Sequence, residues 1–115
     1  MKQYKIAPIA KPRMTRSDKW NQRDCVMRYR SFADEVRRLK IAVPDIGAHV
    51  TFVIAMPSSW SKKKMMTMHN AYHTVKPDCD NLLKALLDAL FKVDSHIADI
   101  RITKVWGYEA SIIVE

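Results

Sequence analysis

The sequence predicts a small α/β (α+β) domain, a mixed β-sheet of about four strands with helices packed on it. Three observations lead there. The chain has 115 residues, enough for one hydrophobic core and too few for two, so 1–115 is read as a single domain. Its apolar residues alternate in some stretches and recur every three or four residues in others, giving the order β, α, β, α, α, β, β. Hydrophobic residues make up 48% and charged residues 28%, a balance that supports a packed core and excludes a disordered chain.

Tyr4 to Ile9 alternates as a short strand, and Pro8 marks its end or an edge position. Lys11-Pro12-Arg13-Met14-Thr15-Arg16 is a basic loop. Ser17 or Asp18 then caps a helix running to about Lys40. Its apolar stripe is Cys25, Tyr29, Phe32, Val36 and Leu39 at spacings of 4, 3, 4 and 3, with Ala33 beside it. Pro44-Asp45-Ile46-Gly47 is a turn. Val50 to Met56 alternates with apolar residues in both sets, which predicts an internal strand buried on both faces. Ser59 or Ser61 caps a helix through Met65, Met68 and Tyr72, with Lys62, Lys63 and Lys64 in its first turn. The helix dipole disfavours cations there, so the cluster is read either as a phosphate contact or as a solvated turn. Asp80 to Phe91 is the clearest helix, carrying Leu82, Leu83, Leu86, Leu87, Leu90 and Phe91 on a broad face. Ile100 to Trp106 alternates as a strand, Gly107-Tyr108-Glu109 turns the chain, and Ser111 to Val114 is the last strand.

The formal charge is +8 at pH 7. Residues 1–64 hold 15 Lys/Arg against 5 Asp/Glu, and residues 65–115 hold 5 against 7. A basic half joined to a mildly acidic half suits a polyanion-binding enzyme with a carboxylate site, although a basic face can also be merely solvated. No apolar run approaches the roughly 20 residues that span a bilayer, and the N-terminus lacks a signal-peptide pattern, so a cytoplasmic protein without a membrane partner is expected. Cys25 and Cys79 have no metal-type spacing and are read as reduced thiols. His69 and His73, four apart, are read as surface histidines rather than zinc ligands.

The chemistry concentrates in Lys76-Pro77-Asp78-Cys79-Asp80-Asn81-Leu82-Leu83-Lys84-Ala85-Leu86-Leu87-Asp88. Pro77 keeps Lys76 out of the helix, so Asp78 lies on the approach and Asp80 near the N-cap, both at the positive end of the helix. Lys84 and Asp88 follow one turn apart on roughly the same face. Two or three carboxylates at one point suit Mg²⁺, a hard ion that takes oxygen ligands, with Mn²⁺ as a substitute. One or two such ions would polarise a phosphodiester and activate water. Lys84 would neutralise charge on the phosphate or orient the attacking water. Asp94 or Asp99, from before the next strand or its start, would complete the cluster. The same acids also fit an ordinary helix cap and a surface ion pair.

The stretch Asp78 to Leu90 resembles the D-x-D-N-L-x-K-x-x-x-D-A-L core of RusA-type Holliday junction resolvases, many of them phage or prophage encoded. Lys11-Pro12-Arg13 is similar to the basic loop of phage-type members. Asp94-Ser95-His96-Ile97, followed by Asp99-Ile100-Arg101-Ile102-Thr103-Lys104, resembles the family's last motif. The resemblance implies a homodimeric, magnesium-dependent endonuclease that nicks four-way DNA junctions symmetrically in recombination and repair. It implies Asp78, Asp80 and Asp94 as catalytic, metal-holding acids and Lys84 as the essential lysine. Asp88 and Asp99 are left as supporting residues around them. Arg13, Arg16, Lys62, Lys63, Lys64 and Lys76 are the expected phosphate contacts.

The sequence departs from the family pattern after Leu90. Phe91-Lys92-Val93 is a short link, and Val93 stands where the first of two adjacent acids is usual. The PD-(D/E)xK nuclease motif is only superficially similar, because Asp80 and Lys84 are four apart within a helix. Two other functions share the same features: a branched-DNA-binding protein without catalysis, and a less selective metal-dependent nuclease.

Overall fold

The computed structural model describes residues 1–12 and 24–115. The expected helix start at Ser17 or Asp18, and the phosphate contacts assigned to Arg13 and Arg16, lie outside the described residues. The elements are β1 (Lys2–Tyr4), α1 (Asp24–Arg38), β2 (Ile46–Ala55), α2 (Lys62–Met68), α3 (Cys79–Leu90), β3 (Asp99–Gly107) and β4 (Ser111–Val114). The predicted α+β class and element order are observed.

The strands form one mixed sheet in the order β1-β4-β2-β3. β4 pairs antiparallel with β1 and β2, whereas β2 and β3 run parallel. A parallel pair needs a long crossover, and residues 56–98, with α2 and α3, supply it. β1 is shorter than expected and lies earlier. The Ile6 N–H turns back to the Tyr4 carbonyl at 3.0 Å, and Pro8 has no N–H to offer a ladder. Ile6 enters the core instead.

α1 and α3 bury their apolar stripes against one face of the sheet. Tyr29, Phe32, Ala33 and Val36 of α1 meet Leu82, Ala85, Leu86 and Ala89 of α3 above Val50, Phe52 and Ile112. The α1 stripe differs by one residue at its start: Val26 is fully buried and Cys25 only half-buried. The 26, 29, 33, 36 spacing follows the helical period as well as the predicted one does. Arg37 Nε donates to the Ala89 carbonyl at 3.0 Å, giving the C-terminal end of α3 a cationic partner.

β2 is internal, as predicted, but it is not buried on both faces. Ala48, Val50 and Phe52 face the helices, while His49 and Thr51 on the other side are only half-buried. His49 Nε2 lies 2.9 Å from Thr103 Oγ1 across the β2–β3 pair, a polar contact on the half-buried side of β2. The exception there is Val53, which is buried. Only residues 108–110 separate β3 from β4, which lie on opposite sides of β2. The chain therefore crosses tightly over the end of β2. At Gly107 an added Cβ would collide with Val53 Cγ1, so the crossing fits only a residue without a side chain.

Gly107→Ala is expected to destabilise the fold by about 1–3 kcal/mol through overpacking. The cost should shrink in a Val53→Ala background, which removes the clashing methyl. Urea unfolding of the four-member mutant cycle checks this, and equal costs in both backgrounds would refute the contact.

Candidate active site

The candidate acids sit at the start of α3 and in the loop that follows it. Asp78, not Asp80, is the N-cap: its backbone is extended and its carbonyl accepts the Leu82 N–H at 3.2 Å. Its side chain makes no capping bond. Asp80 lies inside the first turn, where its Oδ1 accepts the Asn81 N–H at 3.0 Å. Both acids are exposed at the positive end of the helix. Between them Cys79 turns the other way. It lines a cleft of about 330 Å³ with Tyr72, His73, Arg101, Thr103 and Lys104.

One turn further along α3 the charges interlock. Lys84 Nζ lies 3.1 Å from Asp88 Oδ1 and 3.6 Å from Asp94 Oδ2. The other Asp88 oxygen takes the ammonium of Lys11. Asp88 is thus shared by two lysines, and Lys84 by two aspartates. The Lys11 N–H also reaches the Asn81 carbonyl at 3.4 Å, so residue 11 is tied to α3 at two points. Burial alone would raise the Asp88 carboxyl, but hydrogen bonds from Lys11 and Lys84, with their charges, hold it below the usual carboxylate range. The hydrogen bond and charge of Asp88, and then the charge of Asp94, raise Lys84 above the usual lysine value. Lys84 is therefore a cation at neutral pH, not a neutral base.

The predicted site residues separate into groups. Lys84, Asp88 and Asp94 come together, with Asp78 and Asp80 one to two turns away on the same helix. Asp99 opens β3 opposite Ile46 and is exposed. Lys76 is exposed beside Asp78, and Lys62, Lys63 and Lys64 are exposed on α2. Ser61 caps α2 through a 3.1 Å bond from the Lys64 N–H, and Lys64 Nζ stands 4.3 Å over the Trp60 ring. Among the described residues, no three His, Cys, Asp or Glu side chains form a ready metal-binding group. The donor set of Asp78 and Asp80 still suits a hard divalent ion, which one or two carboxylates can hold while it keeps several waters.

Two residues depart from the sequence-based expectation. His73 is 4% exposed, its ring centroid 4.3 Å from that of Trp106 with the planes tilted by 52°, and is no surface histidine. It lies beyond the end of α2, where the chain runs along β3 rather than continuing the helix. Lys104, which the motifs leave without a role, donates from Nζ to the carbonyls of Val75 at 2.8 Å and Pro77 at 2.5 Å. Its one signal in the sequence is a lysine in register with Ile100, Ile102 and Trp106 on one side of a strand.

Asp88 links the pair of lysines to stability. Its folded pKa is depressed, so its contribution is present above the unfolded value of about 3.9 and is lost as pH falls through the folded value. Asp88→Asn should cost about 1 kcal/mol at pH 7, and the gap to wild type in urea unfolding should narrow below pH of about 4. A gap that stays constant down to acid pH would refute the ionic account.

Residues 4–115 match the family model described as Endodeoxyribonuclease RusA. No curated protein and no solved structure matches the chain. The family match spans nearly the whole chain, and the D-x-D-N-L helix start and its lysine fall within it: the chain belongs to the RusA endodeoxyribonuclease family, enzymes that hydrolyse phosphodiester bonds in DNA.

Proposed function

We propose that this chain is a Mg²⁺-dependent, structure-selective endodeoxyribonuclease that resolves Holliday junctions by paired symmetric nicks in DNA recombination and repair. Residues 1–115 act as one nuclease unit. The observation that carries the reading is the 3.6 Å approach of Asp94 to Lys84. It joins an acid from the loop after α3 to the helix that carries Asp78 and Asp80. Acids from two parts of the chain, with a lysine between them, are what phosphodiester hydrolysis at a divalent cation needs.

Asp78, Asp80 and Asp94 are the residues that would hold Mg²⁺, or Mn²⁺ in its place. The bound cation would polarise the phosphate and lower the pKa of an attacking water. Lys84, kept protonated by Asp88, lies where its ammonium can offset negative charge gathering on the phosphate oxygens. Asp88 holds that ammonium in place and leaves Lys84 no freedom to act as a base. Asp99 supports the site from the start of β3. Lys62, Lys63, Lys64 and Lys76, with Arg13 and Arg16, contact DNA phosphates by charge and release counterions on binding.

A junction presents two symmetry-related strands, so a homodimer supplies one site for each cut. Among the described residues no helix is long and apolar enough to cross a membrane, and Cys25 and Cys79 are free thiols, which suits a reducing cytoplasm.

Asp80→Asn is expected to slow Mg²⁺-dependent cutting of a synthetic four-way junction by at least about 100-fold while junction binding holds. Cutting at the wild-type rate would remove Asp80 from the mechanism. Junction binding by the wild type without nicks in any divalent metal would instead mark a non-catalytic binder. Linear duplex, flap and RNA substrates cut as fast as the junction would mark a less selective nuclease. Replacing Lys62, Lys63 and Lys64 together by Ala should flatten the salt dependence of binding by about 1–3 in log–log slope, at about 0.9 for each phosphate no longer neutralised. An unchanged slope would return the cluster to a solvated turn.

A further inference from the structure

We propose that Lys104 is a positioning residue that fixes Asp78 for catalysis by clamping the backbone just before it; the proposal rests on the nuclease reading above. After α2 the chain runs antiparallel along the outer side of β3. The Asn70 N–H reaches the Trp106 carbonyl at 2.9 Å, the Trp106 N–H the Ala71 carbonyl at 3.0 Å, and the His73 N–H the Lys104 carbonyl at 3.0 Å. Tyr72 forms an isolated bridge with Val105. This backbone ladder stops at His73, five residues before the N-cap of α3.

The Lys104 side chain continues where the ladder ends. Its ammonium bonds the carbonyls of Val75 and Pro77, and among the described residues no carboxylate pairs with it. Holding a charged group at a half-buried position is costly unless hydrogen bonds replace its water. Here two carbonyls of a bend replace it, and both belong to the segment leading into α3. The Pro77 carbonyl is part of the peptide group that ends at the Asp78 nitrogen. Fixing that plane fixes the N-cap residue, and with it the carboxylate assigned to the metal. Asp78 itself has no side-chain capping bond to hold it, so its placement depends on the backbone behind it.

The test compares wild type, Lys104→Met and Lys104→Arg in three measurements: single-turnover cutting of a four-way junction in Mg²⁺, junction binding, and amide hydrogen exchange. For Lys104→Met the expected result is cutting at least about tenfold slower at saturating junction, a change in binding of no more than about twofold, and faster exchange at residues 75–80 with β4 unchanged. Lys104→Arg keeps the charge and the donors and should recover much of the lost rate. Wild-type cutting by Lys104→Met, or unchanged exchange at residues 75–80, overturns the proposal. A loss confined to binding also overturns it, since Lys104 would then contact DNA. If Lys104→Met does not fold, Lys104→Gln takes its place, judged by the same criteria. If the wild type cuts nothing, the nuclease reading fails on its own, and the exchange measurement alone decides whether the clamp exists.

Discussion

The rotation of α3 about its own axis governs everything at the charged end of the molecule. Leu82, Ala85, Leu86 and Ala89 are buried against the sheet and α1. Burying a side chain the size of leucine stabilises the fold by about 1.5–3 kcal/mol, so the helix cannot turn without forfeiting several such contributions. With that face fixed, the 3.6-residue period sends Asp80, Lys84 and Asp88 outward at one-turn intervals. The arrangement of charges is thus a by-product of apolar packing.

On that platform the electrostatics are reciprocal. Lys11 and Lys84 keep Asp88 ionised, and Asp88 with Asp94 keeps Lys84 protonated. Each member lowers the free energy of the charged state of the next. Asp78 and Asp80 stand outside this network, exposed at the helix start and without a lysine among the described residues. They face solvent with their oxygens largely uncommitted, on the same helix as a lysine whose pKa is raised by its aspartate partners. That division separates the carboxylates engaged by lysines, Asp88 and Asp94, from the two left open to solvent at the helix start.

Features with a local cause are legible in the sequence. α3 is marked by an uninterrupted leucine pattern, β4 by a short apolar run, and α2 by a serine whose hydroxyl caps the third helical N–H. The cap of α3 is legible only to within two residues, because an acid before an apolar run is a signal that Asp78 and Asp80 both carry. Features with a distant cause are not legible. His73 is buried because it packs on Trp106, far along the chain. Lys104 binds carbonyls 27 and 29 residues earlier. Asp94 meets Lys84 only because the short link of residues 91–93 turns back beside α3. The half-buried second face of β2 is hidden for a related reason: alternation shows which residues share a side, not how deeply that side is covered.

The sheet ends in two unequal margins. At one, β1 is three residues long. At the other, residues 70–73 lie along the later part of β3 and take up its backbone groups, while Asp99 and Arg101 leave exposed charges along the earlier part. A brief strand, a covering segment and charged side chains each discourage a foreign strand from adding to a sheet. Neither margin therefore offers a long, bare row of backbone groups on which the sheet of another copy could extend.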